Sequence, residues 1–339
     1  VGSSGVSSRK YRFTSQHLLF GKLRPYLSKI ARPDRDGVCS TDIIPVLPGP
    51  DVDRGYLFHF LRHPATVELA TLRSSGANLP RLSPKKLAEF QIPLPALPEQ
   101  KRIAAILDAA DALRKKRRDS LEQLDELVQS VFLDMFGNPV TNPKGWETGV
   151  IEDLLESTNY GTSKKASVDP LEFPVLRMGN MTYSGAWDFS ELKYVDLHER
   201  EQEKYLVHRG QILFNRTNSK ELVGKTGVYR EEEPMAFAGY LIRAIPGKDA
   251  DAEFIGAFMN TPQTKQYLQN LCRNIVGMAN INATEFKSIP VILPPLAVQR
   301  SFASVVERVL TQKDALQRHL AELDTLFASL QSRAFRGEL

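Results

Sequence analysis

The side chains of this 339-residue sequence best suited to chemistry lie in loops where Arg, Lys, Asn, Thr and Gly stand beside aromatics. In the second half these are Tyr160, Thr162, Ser163, Lys164 and Lys165, then Arg177 and Asn180, then Asn215, Arg216, Asn218, Lys220 and Lys225, and finally Asn280 and Asn282. In the first half they are Lys22, Arg24 and Tyr26, followed by Lys29, Arg32, Arg73, Asn78 and Arg81. Such residues grip phosphates and pair with base edges: Arg and Lys suit guanine O6 and N7, and Asn and Gln suit adenine N6 and N7. Taken singly, each stretch is also an ordinary solvated loop, and composition leaves the two readings level.

Catalytic signatures are missing from the sequence. It contains no G-x-x-x-x-G-K-[ST] loop, no G-x-G-x-x-G after a strand, no H-E-x-x-H and no G-x-S-x-G elbow. His59 and His63 are four apart, a spacing open to a metal, but only Glu68 accompanies them, so no metal site is expected. Cys39 and Cys272 are too far apart in sequence for a local ligand pair and are expected to be reduced. The net charge of +4 is too small to argue for a polyanionic partner by itself. Its distribution is uneven, with eight Lys/Arg against three acidic residues in positions 1–50 and a basic knot at Arg114, Lys115, Lys116, Arg117 and Arg118. No apolar run approaches a membrane span and the first residues carry no secretory core, so a cytoplasmic protein without a membrane partner is expected.

The elements that must position these loops come in two copies. The segment from Ile92 (IPLPALPEQKRIAAIL) matches that from Val291 (VILPPLAVQRSFASVV) at an offset of 199, aligning Gln100 with Gln299. Upstream, Ile43 to Asp53 matches Leu241 to Asp251, Leu57 to Pro64 matches Ile255 to Pro262, and LLFGK at Leu18 answers ILFNR at Ile212. A period near two hundred is too long for a solenoid repeat and suits two homologous domains. Under this alignment Lys22 and Arg24 fall close to Arg216 and Asn218, which favours a functional role for the loops. The first copy is shorter before LLFGK and is expected to be truncated at its N-terminal side.

Each copy ends in a stretch of nearly forty residues free of Pro and Gly behind a proline-rich exit, which predicts a long helix. Ile103, Ile106, Ala110, Arg117, Leu121, Leu124, Val128, Val131 and Met135 form one apolar seam. Phe302, Val305, Val309, Leu316, Leu320, Leu323, Phe327, Leu330 and Ala334 form the other. Steps of three and four are coiled-coil spacing. A seam can also be the buried stripe of a globular helix, but helices of roughly 55 Å outrun one small domain, so each is expected to pair with the other. The remainder is mixed α/β, with one amphipathic helix expected per copy, near Gly55 to Leu72 and Ala252 to Leu271.

Two variable α/β domains, the L-x-x-L-P-x-x-E-Q-like helix start kept at Leu94 to Gln100 and weakened at Leu293 to Gln299, the VLRMGN and ILFNR strands and the ending LQSRAFRGEL together resemble the specificity (S) subunit of type I restriction-modification enzymes. The resemblance covers essentially the whole chain. It implies an α+β protein of two tandem target recognition domains, residues 1–97 and 138–296, each followed by a spacer helix, 98–137 and 297–339, with the helices pairing as an antiparallel coiled coil. It further implies a non-catalytic subunit that reads a bipartite double-stranded DNA target and docks two methyltransferase subunits and, through them, restriction subunits. S-adenosylmethionine, ATP and magnesium would belong to those partners, and the apolar helix flanks and the helix starts near Gln100 and Gln299 would be the docking surface. The alternative is a coiled-coil scaffold that binds protein without reading DNA.

Overall fold

The structure, a computed structural model, describes residues 10–275 and 278–339. They form two compact units, one made of residues up to 121 together with 315–339, the other of residues 122–314. Each unit takes one α/β portion and part of each of two long helices.

In the first unit, β1 (Lys10–Phe13), β2 (Leu18–Gly21), β3 (Ile30–Ala31), β4 (Gly37–Ser40) and β5 (Ile43–Val46) precede α1 (Arg54–Leu61), α2 (Pro64–Leu72), α3 (Pro84–Ala88) and the long α4 (Leu97–Phe136). β1 pairs with β4, and β2 lies between β3 and β5, all antiparallel. Leu18 and Phe20, two apart on β2, point to one face and enter a core with Phe58, Leu61, Leu82 and Leu87.

In the second unit, β6 (Glu147–Val150), β7 (Leu155–Tyr160), β8 (Phe173–Leu176), β9 (Lys193–Val195), α5 (Glu199–Tyr205), β10 (Leu206–Val207), β11 (Ile212–Asn215), β12 (Thr217–Asn218), β13 (Thr226–Val228), β14 (Met235–Phe237) and β15 (Leu241–Pro246) lead to α6 (Ala252–Met259) and α7 (Pro262–Leu271). Then follow β16 (Arg273–Ile275), β17 (Met278–Asn280), α8 (Ala283–Lys287), β18 (Pro290–Leu293) and the second long helix, α9 (Leu296–Arg336). The main sheet runs β13-β11-β15-β7, a second runs β10-β14-β8-β9, and β17 lies between β12 and β16. β11 is apolar on both faces because both are covered. Ile212 and Phe214 enter the core under α6, while Leu213 joins Leu176, Tyr229 and Phe237 on the opposite side.

The duplication is visible in register. Phe20 pairs with Ile30 and Ile44 as Phe214 pairs with Thr226 and Ile242. The joint to the long helices repeats as well. Gln299 is 1% exposed; its carbonyl oxygen accepts from the Asp251 amide at 2.9 Å and its amide donates to Asp249 O at 3.3 Å and Pro294 O at 2.8 Å. Gln100, wholly buried, makes the same bonds to the Asp53 amide and to Asp51 O and Pro95 O. Beside these pins, Tyr56 of α1 packs on Phe335 at 5.2 Å in the first unit, and Phe254 of α6 packs on Phe136 at 4.9 Å in the second. Phe136 and Phe254, both fully buried, each contribute about 1.5–3 kcal/mol by burial.

Two expectations are corrected. The single amphipathic helix per copy is two, because Pro64 and Pro262 cannot donate into a preceding turn and bias the residue before them to extended backbone. His63 (ψ 136°) and Thr261 (ψ 146°) accordingly break the chain and cap the second helix through their side chains. The seams run through Leu107 and Val306, not Ile106 and Val305, because a four-residue step follows Ile103 and Phe302. The side chains of Gln100 and Gln299 are themselves buried against their own units, which says nothing against the neighbouring helix starts.

Candidate nucleic-acid interface

In both units the chain leaves the central strand at a basic residue held by the same two backbone bonds. The Arg216 amide donates to Tyr240 O at 3.1 Å and its carbonyl accepts from Ile281 N at 2.9 Å. The Lys22 amide donates to Asp42 O at 3.0 Å and its carbonyl accepts from Leu82 N at 3.0 Å. The next residue bridges a second segment, Leu23 to Arg81 in one unit and Thr217 to Asn280 in the other. Positions 22, 42 and 81 therefore answer 216, 240 and 280.

Their chemistry differs. In the first unit Asp42 takes the Arg81 guanidinium at 3.1 Å and lies 3.9 Å from the Lys22 ammonium, and the Arg81 hydrogen bond holds its carboxyl below the usual range. In the second, the Arg216 guanidinium lies over the Tyr160 ring at 4.8 Å, a cation–π contact, and the Tyr160 hydroxyl accepts from the Ala283 amide at 2.9 Å. Among the described residues no carboxylate pairs with Arg216, and its Nε is buried without an acceptor. Thr217 donates to the Asn280 side-chain oxygen at 3.2 Å, and Asn282 caps α8 through the Glu285 amide.

The other candidates divide by exposure. Arg24, Tyr26, Lys29, Asn78, Ser163, Lys165 and Lys220 are exposed, with Arg24 in left-handed backbone at φ 52°. Arg73 lies 3.8 Å from Glu89, and Lys164 pairs with Glu201 at 2.5 Å, which pulls the Glu201 carboxyl down. Asn218 is half-buried and accepts from the Ser219 amide. Thr162, Asn180 and Asn215 are buried and serve the fold: Asn180 bonds the Arg177 amide and the carbonyls of Asp188 and Glu191. Arg177 also bonds Glu191 O, and Lys225 bonds Met181 O at 2.9 Å, where burial lowers its pKa. Arg32 is engaged bidentately by Asp108, which also takes His59 Nε2 at 2.8 Å; burial outweighs that contact and leaves His59 harder to protonate.

Sequence reasoning passed over Lys265, an α7 residue whose ammonium donates to Gly224 O at 2.7 Å and faces the Tyr183 ring at 4.9 Å. Burial first, and then the charge of Lys225, bring its pKa down to about 7. It also passed over exposed Tyr240. The repeat alignment could have found Tyr240, because it stands where Asp42 does.

Residues 9–123 and 143–324 match the family described as the type I restriction modification DNA specificity domain. The chain belongs to this family. It is similar to the type I restriction enzyme EcoKI specificity subunit of Escherichia coli strain K12, 27% identical over 304 residues that cover 84% of this chain and 65% of that one. A second relative is the StySPI specificity subunit of Salmonella potsdam, 26% identical over 306 residues, 85% of this chain and 66% of that one. This specificity-domain chain thus spans just under two thirds of the length of both relatives. Its fold is that of a chain from a structure of the assembly and conformational transition of the type I R-M system (TM-score 0.59, 20% identity, 99% of this chain and 85% of that one). It is also that of the type I restriction-modification system S subunit from M. genitalium (TM-score 0.58, 14% identity, 98% and 86%). Among the described residues no helix is long and apolar enough to cross a membrane, and no cluster of His, Cys, Asp and Glu could hold a metal ion.

Proposed function

We propose that this chain is a non-catalytic DNA-reading specificity subunit of a type I restriction-modification system, each α/β portion contacting one half of a bipartite target. The observation that carries this is the basic residue presented by the same backbone frame in both copies, Lys22 in one and Arg216 in the other. The DNA face includes the exposed Arg24, Tyr26, Lys29, Asn78, Lys165 and Lys220, with Arg73, Arg81 and Lys164 released from their carboxylates when phosphate arrives. Family membership supports the partners: methyltransferase subunits, two in number, and restriction subunits, which would carry S-adenosylmethionine, ATP and magnesium in the cytoplasm.

The spacer in this reading is α4 and α9 paired antiparallel. Support comes from Arg114 bonding Asp324 at 2.6 Å within the first unit, and from Lys313 bonding Asp125 at 2.5 Å and Phe132 meeting Phe302 at 5.7 Å within the second. The test is binding of the chain, assembled with its methyltransferase subunits, to duplex DNA across a salt series. DNA reading predicts affinity falling steeply and log-linearly with salt, the mark of counterion release. Salt-insensitive assembly with no retention of duplex at low ionic strength would overturn it in favour of a protein scaffold.

A further inference from the structure

The two units offer the same three positions with different chemistry, and this bears on which base each one selects. Resting on the DNA-reading role proposed above, we infer that positions 22, 42 and 81 in the first domain and 216, 240 and 280 in the second are the base-selecting set, and that Arg216 selects a guanine in the second domain's half-site.

Residues 22 and 216 are the first beyond the central strand, and each is fixed on both sides by main-chain bonds to the other two segments of its set. The side chains at these positions can therefore change without moving the frame, which a base-selecting position requires. Arg24 and Arg81 are also bonded on both sides, but Arg24 to Pro80 and its own neighbour Leu27 and Arg81 only to Ser75, so neither is tied to two other segments of the set as residues 22 and 216 are.

Within this set, and among the described residues, Arg216 is also the cation that no carboxylate takes. Arg81 and Lys22 share Asp42, Lys164 has Glu201 and Lys225 has a carbonyl. Arg216 has the face of Tyr160, which orients a guanidinium without occupying its N–H groups. Tyr160 is in turn held by the Ala283 amide, so the platform is fixed before any ligand arrives. A donor-only fork on a fixed platform matches two adjacent acceptors, and guanine O6 and N7 are the base edge that presents them. The buried Nε without an acceptor marks a donor set that its own chain does not complete. In the first domain the same place holds a carboxylate between two cations, an acceptor as well as donors, so the two half-sites are expected to differ in base at the corresponding position.

The experiment determines the methylated motif of the chain assembled with its methyltransferase subunits on a random duplex library. Parent, Arg216→Ala, Arg216→Lys, Arg216→Gln and Asp42→Asn are compared. In the parent one half-site holds a guanine; in Arg216→Ala and Arg216→Lys that position relaxes, with discrimination falling by about 5- to 150-fold while the other half-site is unchanged. Arg216→Gln moves the preference toward adenine, and Asp42→Asn alters only the other half-site. Weaker binding with an intact motif would make Arg216 a phosphate contact and overturn the inference while leaving DNA reading in place. Absence of any motif in the parent complex would instead sink the DNA-reading role. Thermal unfolding of each variant checks the fold. Should Arg216→Ala fail to fold, Arg216→Lys, which keeps charge and length but not the fork, decides alone.

Discussion

The Gln299 pin gives the sharpest test of how each domain is fastened to the long helices. Gln299→Met conserves volume closely, so the cavity contribution is small and the loss is almost entirely polar. The change strips an acceptor from the Asp251 amide and a donor from the carbonyls of Asp249 and Pro294. Only the Pro294 bond is wholly buried, the other two being part-buried; at about 1–1.5 kcal/mol for the first and about 0.5–1 kcal/mol for each of the others, the expected loss is roughly 2–3.5 kcal/mol. For a unit of this size each kilocalorie lowers the melting temperature by about 2–4 °C, so a fall of about 4–14 °C is expected. Equilibrium unfolding in denaturant measures the first figure and scanning calorimetry the second, while hydrogen exchange at the Asp251 amide localises the effect. Gln100→Met removes the corresponding three bonds in the other unit and should cost a similar amount. Because the two sets of bonds share no partner, the double variant should be additive within about 0.5 kcal/mol. A loss below about 1 kcal/mol in both single variants would refute the argument that these side chains carry the joint.

Lys265 predicts a pH dependence. Its folded pKa of about 7 lies below the value near 10.4 of an unfolded chain, which therefore binds more protons between those limits. The contribution of this group to stability thus rises as pH climbs from about 7 toward roughly 10, and Lys265→Met should remove that slope. An unchanged slope in unfolding free energy between pH 7 and 9.5 would contradict the assignment. Gly185 sits at φ +87°, and a Cβ there would press on the Thr226 carbonyl oxygen and the Asn260 amide, so Gly185→Ala should cost more than about 2 kcal/mol. Gly145→Ala, at φ +68° in open space, should cost only about 1–2 kcal/mol, and thermal melts of the two check the difference. Asp324→Ala removes the shared partner of Arg114 and Arg118, but these groups are part-exposed, so the loss should be about 0.5–1 kcal/mol and shrink in high salt.

The features legible in the sequence are those set by local covalent geometry and periodicity. Absence of Gly and Pro over some forty residues dictated α4 and α9, and the left-handed Gly137 and Gly337 close them. Internal similarity fixed two homologous portions, because copies with the same apolar pattern reach the same strand register. The breaks at Pro64 and Pro262 are legible too, since a proline's missing donor is a local property.

What tertiary structure alone decided is where the polar side chains point and with whom they pair. In sequence Asn180 and Asn215 border stretches as polar as those around Lys165 and Lys220, yet the first two are buried and the last two exposed. Asp42 meets Arg81 across thirty-nine residues and Lys164 meets Glu201 across thirty-seven, distances at which no local pattern operates. Gln100 and Gln299 looked like surface residues of helix starts and are instead the buried fasteners of the two units. A helix or strand is specified by neighbours along the chain, whereas the free or spent state of a charge such as Arg216 depends on groups that only folding brings within a few ångströms.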